Sequence, residues 1–129
     1  MDIRGKTALV TGGAKRVGRA IALGLAQKGA EIVLHYHKSH EDALKTQKEI
    51  KAFGVHCHLV QADLSKSEHV LRMTGELTQN KIKIDVLVNS ASIFYSTPLE
   101  TATEADWDNF MDANLKSYFL LSRELGLLM

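Results

Sequence analysis

Cysteine is almost absent from this chain. Cys57 is the single one among 129 residues, so no internal disulfide forms and a reducing cytosol is the expected compartment. An excess of either charge is absent too. The chain carries 16 Lys and Arg against 15 Asp and Glu, a formal net charge of +1. With the two signs interspersed, that balance offers no broad field to nucleic acid or to a membrane surface. No apolar run approaches the roughly 20 residues that span a bilayer, and the amino terminus lacks the apolar core of a signal peptide. What remains, 45% apolar residues over 1–129, suits one soluble globular domain.

Short runs rich in Val, Ile and Leu alternate with amphipathic stretches, a pattern that predicts βαβ units and a parallel sheet. Strands are expected at Thr7 to Val10, Glu31 to Tyr36, Val55 to Gln61 and Ile84 to Asn89. The first helix is expected over Arg16 to Lys28, with Val17, Ile21 and Leu25 apolar and Gly29 as a left-handed cap. The second opens at Ser39 with Glu41 and Asp42 in its first turn and closes before Gly54. Ser65 and Glu68 have the spacing of a capping box ahead of Val70, Met73 and Leu77. Trp107 to Met129 reads as one amphipathic helix with Trp107, Phe110, Met111, Asn114, Tyr118, Leu121 and Leu125 on an inward stripe. It arrives at Leu127-Leu128-Met129 with no Gly, Asn or Pro to stop it, as if cut within an element. Right-handed crossovers then give the spatial order 3-2-1-4, with ligands expected at the carboxyl ends of the strands, where Gly12, His37, Asp63 and Asn89 fall.

The run TALVTGGAKRVGR, Thr7 to Arg19, passes from a strand through glycines into a helix. Gly12 and Gly18 have no Cβ, so the backbone turns sharply and approaches a diphosphate while amides of the following helix point at it. This is a phosphate cradle. Gly13 and Gly18 also have the spacing of a nucleoside-triphosphate loop, but Arg19 and Ala20 stand where a lysine and a metal-binding hydroxyl belong, which disfavours triphosphate hydrolysis. The end of the second strand, His35-Tyr36-His37-Lys38-Ser39, has no acid before Glu41. Dinucleotide enzymes that use the non-phosphorylated cofactor place a carboxylate there, whereas Arg16, His37, Lys38 and Ser39 suit a 2′-phosphate and so NADP(H). The bland reading is a solvated helix-entry loop.

Other residues keep two readings. Asp63 either caps a turn or meets an adenine edge, and the glycines after the first strand argue against a phosphoacceptor aspartate. His56-Cys57-His58 with His35 and His37 invites a metal, but alternation sets Cys57 on the face opposite to its two histidines, so no metal site is expected. Phe94 either packs in the core or stacks on a flat heterocycle. Asn114, on the inward stripe, either ties a strand end or takes part in catalysis.

Taken together, TGGAKRVG, HYHKS, ADLS, NSAS and ANLKS resemble the classical short-chain dehydrogenase/reductase family along the whole chain. Within it, three features resemble the pteridine reductases: Arg16 in place of a middle glycine, the HYHKS run to Ser39, and Phe94-Tyr95-Ser96-Thr97-Pro98 after the fourth strand. Ser90 and Ser96 depart from the usual asparagine and proline. The resemblance implies a Rossmann-type doubly wound sheet, incomplete here, in which Arg16, Val17 and Gly18 hold cofactor phosphates and His37, Lys38 and Ser39 the 2′-phosphate. Asp63 and Leu64 would meet the adenine. Asn89, Ala91 and Ser92 would line the path to the nicotinamide, Phe94 would stack on a pterin, and Asn114 would belong to the catalytic constellation.

The implied reaction is hydride transfer to a pterin or related carbonyl or imine substrate, by a cytoplasmic homo-oligomer in its complete form. Such chemistry needs a tyrosine with a lysine four residues on. After Tyr36, Tyr95 and Tyr118 that position holds His40, Leu99 and Ser122. The chain alone is therefore expected to be inactive, with an open edge at the fourth strand and a last helix lacking a layer to pack on. The alternatives are a non-enzymatic NADP-binding module and a generic carbonyl or ketoacyl-type reductase without pterin preference.

Overall fold

A strand that must be covered on both faces cannot alternate polar and apolar residues, and Ala8-Leu9-Val10 and Ile32-Val33-Leu34 do not. In a computed structural model that describes residues 1–129, they form the centre of a parallel sheet. Its strands are β1 (Thr7–Val10), β2 (Glu31–Tyr36), β3 (Cys57–Gln61) and β4 (Val86–Val88), in the order β3-β2-β1-β4. β1 pairs in parallel with both β2 and β4, so the direction of winding reverses there and opens a crevice at the carboxyl ends of the strands.

Two apolar cores cover the sheet. On one face Leu9, Val33 and Val60 meet Val70, Met73 and Leu77 of α3 (Ser67–Gln79) and Leu120, Leu121 and Leu125 of α5 (Ser117–Gly126). On the other, Ala8, Val10, Ile32 and Leu34 meet Ala22 and Ala26 of α1 (Arg16–Gln27) and Ala43 and Ile50 of α2 (His40–Lys51). The buried stripe of α1 is Gly18, Ala22 and Ala26, whose small side chains let the helix lie close to the sheet. Of the apolar residues noted in this helix, Leu25 packs partly against that core while Val17 is 68% exposed.

Several other expectations are corrected. β3 begins at Cys57 rather than Val55, and β4 is confined to Val86–Val88. The Ser65–Glu68 box does not form: α3 starts at Ser67, and the Ser65 hydroxyl donates to Asp63 instead. The true capping box is farther on, where Thr103 Oγ1 accepts from the Asp106 amide and the Asp106 carboxylate accepts from the Thr103 amide. It opens α4 (Glu104–Met111), which runs through a π turn at Asp112–Lys116 into α5. The extra residue in that turn shifts the helical phase, and Trp107, placed inward by simple periodicity, is 63% exposed. The last helix does find a layer to pack on, because Leu121 is fully buried against the α3 side of the core.

Candidate functional site

The turn from β1 into α1 is held in shape from behind. Gly12 sits at φ +62°, a left-handed conformation open to glycine, and a Cβ there would come 2.8 Å from the Ala91 Cα. At Gly18 the constraint is proximity: a Cβ would lie 2.1 Å from the Gly12 carbonyl oxygen. Arg16, between them, holds φ +55° despite its side chain, a strained conformation that persists where surrounding structure demands it.

The amides of this turn divide into two groups. Gly12 N–H donates to His35 Nδ1 at 3.0 Å and Gly13 N–H to the His35 carbonyl at 3.0 Å. Helix geometry leaves those of Arg16, Val17 and Gly18 without intrahelical acceptors, at the positive end of the α1 dipole. Gly12 therefore shapes the turn, and the amides at the mouth of α1 are its free donors. From α2, the buried Thr46 hydroxyl donates to the Ala14 carbonyl at 2.9 Å, and Glu49 pairs with Arg19.

A cleft of about 800 Å³ opens in front of these amides. Its wall includes Gly12, Arg16, Val17, Gly18, His37, Lys38, Ser39, Asp63, Leu64, Ala91 and Ser92. Asn89, Phe94 and Asn114, also singled out from the sequence, do not line it. Lys15, Arg16, His37 and Lys38 are exposed at the rim, and the Ser39 hydroxyl caps no helix amide. Asp63 is the acid among the wall residues. Burial acts to raise its carboxyl, but hydrogen bonds from the Ser65 hydroxyl and amide, with His37 and Lys66 nearby, outweigh burial and hold it below the usual range. Its Oδ2 lies 3.8 Å from His37 Nε2.

His35 was not expected here. It is 2% exposed, accepts from Gly12 at Nδ1 and donates from Nε2 to the Ala62 carbonyl at 2.9 Å. An amide partner on one nitrogen and a carbonyl on the other assign the proton to Nε2. Burial, opposed by the Ala62 bond and aided by His37, lowers its pKa to about 4. β2 is buried on both faces, Ile32, Val33 and Leu34 alike, and that continuous apolar run was the signal that the next side chain also belongs inside. Cys57 is buried between the exposed His56 and His58, as alternation requires, and burial pushes its thiol up to about 12 against the pull of Lys51.

The segment after β4 is pinned by side chains in place of a ladder. Thr11 Oγ1 accepts from the Ser90 and Ala91 amides at 2.9 and 3.0 Å, and the Tyr118 hydroxyl donates to the Ala91 carbonyl at 2.6 Å. Asn114, within the π turn, pairs with Ile93 like a strand neighbour, accepting from its amide at 2.8 Å and donating to its carbonyl at 3.0 Å. The Asn89 amide donates to Ser122 at 3.4 Å, while its buried Oδ1 has no partner. Phe94 is 91% exposed beyond this anchored stretch, while Tyr95 stacks on Phe110 with ring centroids 4.5 Å apart.

Known proteins share this arrangement. Residues 6–129 match the short chain dehydrogenase family. A 3-oxoacyl-[acyl-carrier-protein] reductase, FabG, of Staphylococcus epidermidis is 40% identical over 114 residues, 88% of this chain and 47% of that protein. A 2-dehydro-3-deoxy-D-gluconate 5-dehydrogenase of Pseudoalteromonas atlantica is 36% identical over 97% of this chain and 49% of its own length. The chain thus spans about half the length of the curated relatives it matches. Among solved structures, a short chain dehydrogenase from Burkholderia cenocepacia in complex with NADP superposes with a TM-score of 0.92 and 32% identity over 100% of this chain and 53% of that one. A blue fluorescent protein from a metagenomic library, in complex with NADPH, gives a TM-score of 0.91 at 30% identity over the same shares. A strand-to-helix glycine turn at the switch point of a β3-β2-β1-β4 sheet, matched in sequence from residue 6 to 129, shows that this chain belongs to the short-chain dehydrogenase family.

Proposed function

We propose that these residues form the cofactor-holding half of an NADPH-dependent reductase. The observation that carries the reading is the cationic rim of Lys15, Arg16, His37 and Lys38 beside the free amides of α1, with no carboxylate at the end of β2. The residues fit a dinucleotide, because the cleft of about 800 Å³ opens directly in front of the glycine turn and the start of α1. Arg16, Val17 and Gly18 hold its diphosphate. His37, Lys38 and Ser39 hold the 2′-phosphate, and Asp63 and Leu64 the adenine. Ala91, held by Thr11, and Ser92 line the way to the nicotinamide; Asn114 keeps that wall in place through Ile93, and Asn89 ties the end of β4 to Ser122 of α5. The bound cofactor supplies a hydride. The chain has no tyrosine followed four residues later by lysine, so it turns over nothing alone.

Calorimetric titration tests the cofactor reading. NADPH is expected to bind more tightly than NADH, and Lys38→Glu to weaken NADPH by about tenfold or more, the scale of one charge-assisted hydrogen bond lost and a repulsion gained. Equal affinities for the two cofactors in the wild-type chain refute the assignment.

The substrate reading follows from Phe94. A ring 91% exposed after an anchored segment offers a face to a flat heterocycle such as a pterin. The 40% identity to FabG favours a second reading, a 3-oxoacyl thioester. In a full-length enzyme carrying these residues, Phe94→Ala is expected to raise KM for a pterin by about tenfold and to leave 3-oxoacyl reduction unchanged. Turnover of the thioester alone selects the second reading.

A further inference from the structure

Two histidines outside the family-derived assignments meet at one peptide group. Gly12 N–H donates to His35 Nδ1 at 3.0 Å, and His35 Nε2–H donates to the Ala62 carbonyl at 2.9 Å. The same peptide group, between Ala62 and Asp63, gives its N–H to Nδ1 of His69 on α3 at 3.1 Å. All three bonds point one way, so each polarises the next. They cross the carboxyl edge of the sheet from the glycine turn to the turn that carries Asp63 and Leu64.

We propose that His35 and His69 are positioning residues, which join the phosphate turn and the adenine-side turn into one hydrogen-bonded unit through the Ala62–Asp63 peptide. The inference rests on the cofactor assignment above for its use, not for its existence. His35 and Ala62 are buried, so neither has water to replace a lost partner. An acceptor is required at the Nδ1 of each histidine, and His35 must also donate from Nε2, a pairing of acceptor and donor that a neutral imidazole provides. The unit ends on one side at the Gly12 turn, against which Gly18 packs. On the other it ends at Asp63, which His37 faces from the end of β2.

NMR on the ¹⁵N-labelled, ligand-free chain tests the unit directly. Nitrogen–nitrogen couplings across the hydrogen bond are expected from the Gly12 amide to His35 and from the Asp63 amide to His69. His69, half-exposed in the first turn of α3, tolerates substitution. In His69→Ala the Gly12 amide, two histidines away, is expected to exchange with solvent about threefold faster or more, with NADPH affinity falling about fivefold. His69→Asn, whose Oδ1 occupies the place of Nδ1, is expected to restore both. A Gly12 amide that exchanges in His69→Ala as it does in the wild type overturns the proposal, as does the absence of either coupling. Both readouts are taken without cofactor, so they decide the coupling whether or not NADPH binds. A wild-type chain that binds no NADPH refutes the cofactor reading instead.

Discussion

Gly18→Ala is expected to cost about 3 kcal/mol or more of folding stability, at the top of the range for inserting a methyl into a packed site, and to abolish NADPH binding. The added Cβ would stand 2.1 Å from the Gly12 oxygen, 2.8 Å from its carbonyl carbon and 3.1 Å from the Gly13 Cα. These are backbone atoms and cannot swing aside. Gly12 and Gly13 are both tied to His35 through their amides, so the turn cannot retreat without breaking two hydrogen bonds. Gly24 lies in the same helix, and a Cβ there meets nothing within 4 Å. Gly24→Ala should therefore stabilise the chain by about 0.5 to 1 kcal/mol through helix propensity. Urea unfolding of the two variants beside the wild type reads both signs, and a Gly18→Ala protein as stable as its parent would show that α1 does not pack against the turn as described.

Acidification should destabilise the fold well above the range in which carboxylates titrate. The His35 pKa stands at about 4 in the folded chain against 6.5 for an unperturbed imidazole, so between those values the unfolded state binds the extra proton. The contribution of neutral His35 is complete above pH 6.5 and is lost as pH falls toward 4. It amounts to about 3 kcal/mol. Asp63, Asp85 and Asp106 are all held below the usual 3.8. Their contributions are present above that value and disappear only below it, which separates the two effects. Lys15 and Arg16 on the glycine turn, His37 and Lys38 at the end of β2 and Asp63 after β3 share the cleft with His35. Unfolding free energies measured from pH 7 to 4 should fall for the wild type and lose this slope in His35→Asn. The ¹⁵N shifts of the His35 ring in the wild type give the same titration without a variant, and a midpoint near 6.5 would contradict a buried imidazole bridging Gly12 and Ala62.

Strand order, the glycine turn and the cationic end of β2 were legible because each is a local property. Apolar runs announce strands, right-handed crossovers leave few topologies, and TGGAKRVG carries its turn chemistry within a few residues. The resemblance to the family named Arg16, Val17, Gly18, His37, Lys38, Ser39, Asp63, Leu64, Ala91 and Ser92, and the fold brings these to one cleft. The misplaced features depend on competition between neighbours. Ser65 and Glu68 have capping-box spacing, yet the Asp63 carboxylate takes the Ser65 hydroxyl and amide first. Trp107 follows the helical period, but the π turn at Asp112–Lys116 resets the phase between it and Leu121.

From Thr7 to Arg19 and from His35 to Ser39, the order of residues was enough to imply a parallel α/β fold with a glycine turn into a helix and a cationic strand end beside it, since glycine conformation, helix amides and charge act over one or two turns of chain. Folding was needed to show which groups would remain free for a ligand. Thr11 reaches Ser90 across 79 residues, Gly12 reaches His35 across 23, and Asn114 reaches Ile93 across 21. Hydrogen-bond partners so far apart in sequence leave no periodic trace in it, and burial, which turns His35 from a solvated base into a neutral bridge, exists only once both cores have closed over the sheet.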